Sequence, residues 1–390
     1  MKQISVILSS STGFRNTGMF SVDYSAYVFF KSNFPEHKIK FYVFHLSDKS
    51  DYPYDHLVPY ETYNKVSFDD IPKIHKSDLI VYWSDFFHTR HFFEGYMTNY
   101  VFDKESLSAD HDLFFKLFFL EGADDSVFEK TVVFGNSLMF LGGSDIWSNS
   151  LHSTALRNLY SKIRIAMPRD CVSLCNIDNP CFNSDQGCDP AFLLLPSRSP
   201  RCAGKIGLFI GRRTEIKIRD VIKIILFAKY TKKKIEWIPW MENTESLFNR
   251  AISNPRQAKN LLIHITLSAI FKRKSTRPAL NIDRLGQYEL IITDTYHLAI
   301  NSIKDNTPVF CIGDDSIIYG KDELDLHDRK KEVLFSMMGA EDCYGDVSFG
   351  KLFSASRKHK YREYKAATDK IKSKLINICS KIIGDSNASI

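Results

Sequence analysis

The chain has 390 residues, of which 44% are hydrophobic and 25% charged, with a formal net charge of +6. This length exceeds what one typical core needs and predicts two domains, and the mixed composition excludes a largely disordered or fibrous chain. No apolar run reaches the roughly 18 residues that cross a bilayer, and the first residues have the pattern of a core strand and lack that of a signal peptide. We therefore expect a cytoplasmic protein.

Strand-like and helix-like segments alternate along the first half of the chain. Predicted strands cover residues 4–9, 39–44, 78–83, 131–134 and 191–195, and predicted helices cover 19–32 and 155–163. A polar loop at 10–18, which contains Asn16 and Gly18, separates the first strand from the first helix. This alternation is typical of an α/β layer architecture.

The segment Pro-Ser-Arg-Ser-Pro-Arg-Cys-Ala-Gly at residues 196–204 interrupts the alternation with turn-forming residues and charge. It is the best candidate for a domain boundary. We predict an N-terminal α/β domain at 1–196, a linker at 197–204, a second α/β domain at 205–350, and a basic C-terminal helix and tail at 351–390.

A second α/β series follows the linker. Strands are predicted at 205–210, 235–239, 289–292 and 309–312, and helices at 221–230 and 257–270. Arg212 and Arg213 come directly after the first of these strands, where α/β domains bind ligands. They are candidate anion-binding residues, although an exposed charged pair has the same pattern.

A histidine follows the buried strand at 289–292, in the polar turn Thr293-Asp294-Thr295-Tyr296-His297. At a strand end His297 can hold a phosphate or carboxylate or transfer a proton, whereas a structural histidine would have its hydrogen bonds satisfied in the core. Asp294 is expected to orient His297 or, with Thr295, to cap the helix that follows. We predict that His297 is the catalytic residue.

Four segments in order resemble the polysaccharide pyruvyl transferase family. They are the Arg-Asp-x-x-Ser segment at 169–173, the Asp-Pro-Ala-Phe-Leu-Leu segment at 189–194, the turn at 293–297 with the strand after it, and the lysine-containing helix around Lys330. The loop with Asn16 and Gly18 is only loosely similar to that family's early Asn-x-Gly-Asp loop, because Met19 stands where an acid is usual.

The resemblance implies transfer of a carboxyvinyl or pyruvyl group from phosphoenolpyruvate to a sugar hydroxyl of a bacterial surface polysaccharide or its lipid-linked precursor. The anionic donor would require cationic partners. The candidate donor-binding residues are Arg212, Arg213, Asp294, Thr295, Arg169 and Lys330. The candidate acceptor-binding residues are Asn16, Gly18, Gly143 and Ser144, the last two from a Gly-Gly-Ser-Asp loop that can equally be a plain turn.

Thr295 stands where the family has an arginine. A threonine supplies no charge, so either Arg212 or Arg213 compensates or the donor has changed. The first alternative is therefore a GT-B glycosyltransferase that uses a nucleotide sugar, including a CMP-activated acidic sugar. A second alternative, from another class, is a non-catalytic glycan-binding protein.

The expected fold class is α/β, with two Rossmann-like domains in a GT-B-like arrangement, an interdomain cleft and a long C-terminal helix. That helix, from about residue 354 to 383, has an apolar stripe, and residues 351–390 carry a net charge of +7. We expect it to pack on the domains, to contact anionic lipid at the inner face of the membrane, or to do both.

Other partners and cofactors are not expected. The basic residues lack a nucleic-acid-reading motif. The acids Asp314 and Asp315 are expected to be solvated, and five cysteines between Cys171 and Cys202 lack paired zinc spacing, so no bound metal or cofactor is predicted. The acceptor is expected to be a glycan or a lipid-linked saccharide, and the sequence does not determine the oligomeric state.

Overall fold

The computed structural model describes residues 1–8, 17–44, 46, 48–83, 88, 107–138, 150–196, 204–210, 217–240, 255–271, 282–313, 326–357 and 361–385. The chain forms two compact units. The first consists of Met1–Gly13, Val22–Leu193 and Ala367–Ile390, and the second of Phe14–Ser21 and Leu194–Ala366. Each unit therefore takes in a piece of chain from beyond the predicted boundary near residue 196.

A parallel six-stranded sheet forms the centre of the first unit. Its strands are β1 (Gln3–Leu8), β2 (Lys38–Val43), β3 (Tyr63–Lys65), β4 (Leu79–Trp83), β5 (Thr131–Phe134) and β6 (Ile165–Met167), in the order β3-β2-β1-β4-β5-β6. This order reverses between β1 and β4, as in the doubly wound Rossmann fold. Strands β4 and β5 are buried along their whole length, as expected for a parallel sheet covered on both faces.

Helices connect these strands. The described helices of this part of the chain are Thr17–Asn33, Ile71–His75, Leu107–Phe118, Asp125–Phe128, Leu151–Lys162 and Cys171–Asn176. The first helix packs its aromatic residues on the sheet, with the ring of Phe29 5.1 Å from that of Trp83. The helix predicted at 155–163 begins four residues earlier, because the Ser150 hydroxyl accepts a hydrogen bond from the Ser153 backbone and caps it there.

The second unit has a parallel five-stranded sheet. Its strands are β7 (Lys205–Phe209), β8 (Lys234–Trp237), β9 (Leu290–Thr293), β10 (Val309–Ile312) and β11 (Tyr344–Gly345), in the order β11-β10-β9-β7-β8. This is the flavodoxin-like doubly wound order, which reverses between β7 and β9. Ligands of such sheets bind outside the carboxyl ends of the strands at this reversal, the switch point.

The described helices of the second unit are Ile218–Tyr230, Pro255–Phe271, Tyr296–Lys304, Leu326–Met337 and Phe349–Ala355, and the helix Arg362–Asp385 follows. The α/β class with two Rossmann-like units and a long C-terminal helix is therefore confirmed. None of the helices in the described part of the chain is long and apolar enough to cross a membrane.

Two further predicted elements differ from the structure. The apolar run at 191–195 is not a strand but a 3-10 turn, Pro190–Leu193, because the Asp189 carboxylate accepts from the Ala191 backbone and turns the chain there. The helix expected to begin near residue 354 begins at Arg362. A separate helix, Phe349–Ala355, precedes it and is capped by the Ser348 hydroxyl, which accepts from the Lys351 backbone.

Candidate ligand site at the edge of the second sheet

A buried polar turn follows β9 at the switch point. The Thr295 backbone donates to the Thr293 hydroxyl at 3.0 Å, and the Thr295 hydroxyl donates to the Asp294 carboxylate at 3.2 Å. Thr295 is the N-cap residue of the helix Tyr296–Lys304, but its side chain makes no capping hydrogen bond. The Thr295 hydroxyl is turned to Asp294 and does not cap the helix, and capping by Asp294 itself stays a prediction.

His297 is the second residue of that helix and is 6% exposed. Its ring meets the Tyr296 ring edge-on at 5.2 Å. Gly18, in the first turn of the helix Thr17–Asn33, lies directly against it, so that a β-carbon built on Gly18 would be 2.6 Å from the His297 Cβ. The second unit thus brings together two residues that were predicted separately, one for catalysis and one for the acceptor.

A hydrogen-bonded chain fixes this contact. The Asn301 amide donates to the His297 carbonyl at 2.8 Å and to the Ser21 hydroxyl at 3.0 Å. The Ser21 hydroxyl in turn donates to the Gly18 carbonyl at 2.6 Å. Asn301 and Ser21 are fully buried, so the start of one helix is held in a fixed position against the His297 helix.

Two adjacent lysines approach the same turn from the helix Leu326–Met337. The Lys331 ammonium is buried and donates to the carbonyls of Asp294 and Ile312 at 3.1 and 3.2 Å. It therefore connects the residue just past the end of β9 with the last residue of β10. The Lys330 ammonium lies 5.0 Å from the centroid of the Tyr296 ring, a cation–π contact. Sequence reasoning selected Lys330 and missed Lys331.

The end of β7 lies beside this turn, since Phe209 pairs with Thr293 across the sheet. His264, from the helix Pro255–Phe271, contacts the Ile210 carbonyl through Nδ1 at 3.0 Å. Arg212 and Arg213 follow Ile210 by two and three residues but lie outside the described residues, so their donor-binding role stays a prediction.

Arg169 lies in a buried cluster of the first unit. Its guanidinium is 3.3 Å from Asp189 and 3.7 Å from Asp170, and its side chain is 0% exposed. Asp170 also caps the helix Cys171–Asn176, accepting from the Ser173 backbone at 2.7 Å. The two motifs that carried the family resemblance in this region therefore contact each other, and donor binding by Arg169 stays a prediction.

The remaining predicted residues are not described. Asn16, Gly143 and Ser144 lie outside the described residues, as do Asp314 and Asp315. Within the described ranges, no group of three or more His, Cys, Asp or Glu side chains is placed to hold a metal ion, and the seven cysteines there are free.

His88 shows how a structural histidine differs from His297. It is buried in the first unit, and its Nε2 lies 3.1 Å from the Phe118 carbonyl while its Nδ1 lies 3.3 Å from the Tyr160 hydroxyl. Burial lowers the pKa of His88 to about 4. It is therefore neutral at physiological pH and belongs to the core, whereas His297 follows a strand at the switch point.

Replacing Gly18 with alanine tests the contact with His297. Alanine normally stabilises a helix relative to glycine by roughly 0.5–1 kcal/mol. Here the added methyl would meet the His297 Cβ, so we expect a loss of about 1–3 kcal/mol in the free energy of unfolding, measured by urea denaturation.

Gly350→Ala is the matched control, because Gly350 is also helical and in the second unit but has nothing within 4 Å of an added β-carbon. That variant should be neutral or slightly stabilised. His297→Gly should relieve Gly18→Ala, whereas His297→Ala, which keeps the β-carbon, should not. Equal effects of Gly18→Ala and Gly350→Ala would contradict the contact.

The comparisons with known proteins concern the fold. No family model and no curated protein matches the chain in sequence. Among solved structures, a UDP-N-acetylglucosamine 2-epimerase is similar with a TM-score of 0.50 and 9% identity, over 96% of this chain and 95% of that one.

Two further structures are similar along most of their length. The UDP-GlcNAc 2-epimerase from Neisseria meningitidis bound to UDP-GlcNAc has a TM-score of 0.49 and 10% identity, over 98% of this chain and 100% of that one. A UGT transferase from Siraitia grosvenorii in complex with UDP has a TM-score of 0.47 and 10% identity, over 99% of each chain. The predicted GT-B class of fold is confirmed.

Proposed function

We propose that the protein is a transferase that modifies a glycan and takes a nucleotide sugar as its donor. The sugar would pass to an acceptor hydroxyl, which loses its proton, and the nucleotide would leave. The observation that carries this proposal is the position of Asp294, Thr295 and His297, which follow β9 at the switch point of a Rossmann-like unit. The GT-B class of fold supports it at the level of analogy.

The surroundings of this turn suit a phosphate-containing donor. The helix Tyr296–Lys304 begins there, and the positive end of a helix dipole attracts phosphate. His297 is at the second position of this helix, where its ring can donate a hydrogen bond to a phosphate oxygen. In the proposal His297 binds the donor, Gly18 and Asn301 position His297, and Lys331 holds the turn in shape.

Pyruvyl transfer from phosphoenolpyruvate is the second candidate. What favours it is the contact between the two segments that resemble that family, through Arg169 and Asp189. The threonine at position 295 weakens this candidate, because it stands where that family has an arginine. The described residues of the turn provide no other arginine for the donor carboxylate.

A donor screen separates the two candidates. UDP-, GDP-, ADP- and CMP-sugars and phosphoenolpyruvate are added singly, and thermal unfolding is followed. A donor at 100 times its Kd stabilises the folded protein by about 2.7 kcal/mol. We expect a nucleotide sugar to raise the melting temperature, and its radiolabelled form to yield a labelled glycan.

His297→Ala should weaken binding of that donor roughly ten- to a hundredfold, because a hydrogen bond to a charged group is lost. His56→Ala, at an exposed histidine of the first unit, is the control and should bind normally. If phosphoenolpyruvate raises the melting temperature and no nucleotide sugar does, the second candidate replaces the main proposal. If no donor shifts the melting temperature, the enzyme proposal fails in favour of glycan binding without catalysis.

A further inference from the structure

An exposed apolar face runs along the helix Ile218–Tyr230. The opposite face is buried through Ile224, Phe227 and Ala228. The residues of the exposed face recur at helical spacing and are Ile218 at 53%, Ile222 at 51%, Ile225 at 41%, Leu226 at 50% and Tyr230 at 72% exposure. Large apolar side chains aligned in this way are unusual at a water-facing surface and mark an interaction site.

Phe353 extends this face. It lies on the neighbouring helix Phe349–Ala355, is 39% exposed, and has its ring 6.1 Å from that of Tyr230. Two helices of the second unit therefore contribute to one apolar surface, which we call the Ile222 face.

The exposed charges on the helix Ile218–Tyr230 are positive. Arg219 and Lys229 are exposed on the same side of the helix, and Lys232 and Lys234 are exposed just after its end. The helix has one acid, Asp220, which is 3% exposed and points away from this face. The partly exposed acid Asp346 also lies near the start of the helix, with ion pairs to Lys217 and Arg219 at 3.0 and 3.6 Å.

We propose that the Ile222 face docks on the surface of an anionic lipid bilayer. Isoleucine and leucine side chains would enter the boundary between headgroups and acyl chains, while Arg219 and the lysines would meet lipid phosphates. The tyrosine ring suits the interfacial region, since it is apolar with one polar tip. This docking does not depend on which donor the protein uses.

Charge decides between a membrane and a second copy of the chain. A two-fold symmetric dimer through the Ile222 face would bring the pair Arg219 and Lys229 of one copy close to the same pair of the other copy. Like charges at such an interface are repulsive, whereas an anionic surface attracts all of them.

The C-terminal helix is less suited to this role. The apolar residues Leu375, Cys379, Ile382 and Ile383 are buried within the protein. Its lysines remain a source of electrostatic attraction, and contact through them stays a prediction. The Ile222 face differs because its apolar residues are exposed beside its cations.

Vesicle co-sedimentation of the full chain tests the proposal. Wild-type protein should bind vesicles in which about a third of the lipid is phosphatidylglycerol, bind vesicles of pure phosphatidylcholine weakly, and lose binding in high salt. Ile222→Ser with Leu226→Ser should lower the binding by about tenfold or more, because two apolar side chains no longer enter the lipid.

Leu262→Ser with Ile265→Ser is the matched control, since both residues are exposed at 67% and 50% on another helix of the second unit. This control should bind as wild type. A thiol-reactive fluorophore also labels the exposed Cys171, Cys175 and Cys181, so wild-type protein labelled in the same way is the reference. On anionic vesicles, labelled Ile222→Cys should show a blue shift of emission that the labelled wild type lacks, a readout that is independent of loss by misfolding.

Three results would overturn the proposal. The first is no preference of the wild type for anionic vesicles. The second is equal loss of binding in the Ile222/Leu226 and the Leu262/Ile265 variants. The third is a dimer in solution that Ile222→Ser with Leu226→Ser converts to a monomer without any change in vesicle binding.

Discussion

Replacing Arg169 with methionine should lower the free energy of unfolding of the first unit by about 3–5 kcal/mol. The guanidinium is fully buried between Asp189 and Asp170, at 3.3 and 3.7 Å. Without it, the buried carboxylates of Asp189 and Asp170 lose this cation, and an uncompensated charge remains in a medium of low dielectric constant. Urea denaturation followed by far-UV circular dichroism measures the change.

Arg164→Met is the control for this prediction, because Arg164 is exposed and nearby in the sequence. It should change the free energy of unfolding by less than about 0.5 kcal/mol. Adding Asp189→Leu to Arg169→Met should recover part of the loss, since the second substitution removes one of the two stranded charges. If Arg169→Met and Arg164→Met behave alike, the buried ion pair does not stabilise the fold.

Arg169→Met also tests whether Arg169 binds the donor. If Arg169 held the donor, Arg169→Met would weaken donor binding more than its loss of stability explains. In a nucleotide-sugar enzyme whose donor lies at the turn of His297, donor affinity should survive wherever the variant remains folded.

Replacing Lys331 with methionine should cost about 3 kcal/mol in the second unit, because the carbonyls of Asp294 and Ile312 lose charge-assisted hydrogen bonds while remaining buried. Methionine has a similar length, so little packing is lost. We further expect weaker donor binding, since the turn that carries Asp294 and Thr295 is no longer tied to β10.

Lys330→Met is the comparison for this second substitution. It removes the cation–π contact with Tyr296, which is worth about 2 kcal/mol at a buried site such as this one. The loss should still be smaller than for Lys331→Met, because Lys331→Met leaves two buried backbone carbonyls without their charged donor. Both substitutions remove one positive charge, so the difference between their effects does not come from the change in net charge. Equal effects on stability and on donor affinity would show that Lys331 does not hold the ends of the two strands.

Most of the longer strands and helices could be predicted from the sequence, because each shows the apolar pattern of its class. The helix Leu107–Phe118 is an exception and was not predicted. Strands β3, β6 and β11 could not be predicted, since they have three, three and two residues and lie at or near the sheet edges. Such short strands show no alternation of apolar and polar residues, and only pairing with a neighbouring strand defines them.

Part of the candidate site was also predictable. His297 follows a strongly apolar strand, and that pattern places it at a strand end. Its contact with Gly18 joins residues 279 positions apart, which no local pattern can report. The sequence indicates only weakly that Asn301 supports His297, since it lies one helical turn later on the same side of the helix. The sequence does not distinguish Lys331 from its neighbour Lys330, because the rotational position of each residue on the helix decides which lysine faces the sheet.

The interleaving of the two units has a consequence for synthesis on the ribosome. The first unit includes Ala367–Ile390, and the second includes Phe14–Ser21. A unit cannot complete its core before all of its segments have been translated. The first unit therefore lacks its last helix until the whole second unit has been made. The first unit cannot reach its complete form before the second is translated, and a nascent protein stalled before residue 367 would leave exposed the surface that its last helix covers.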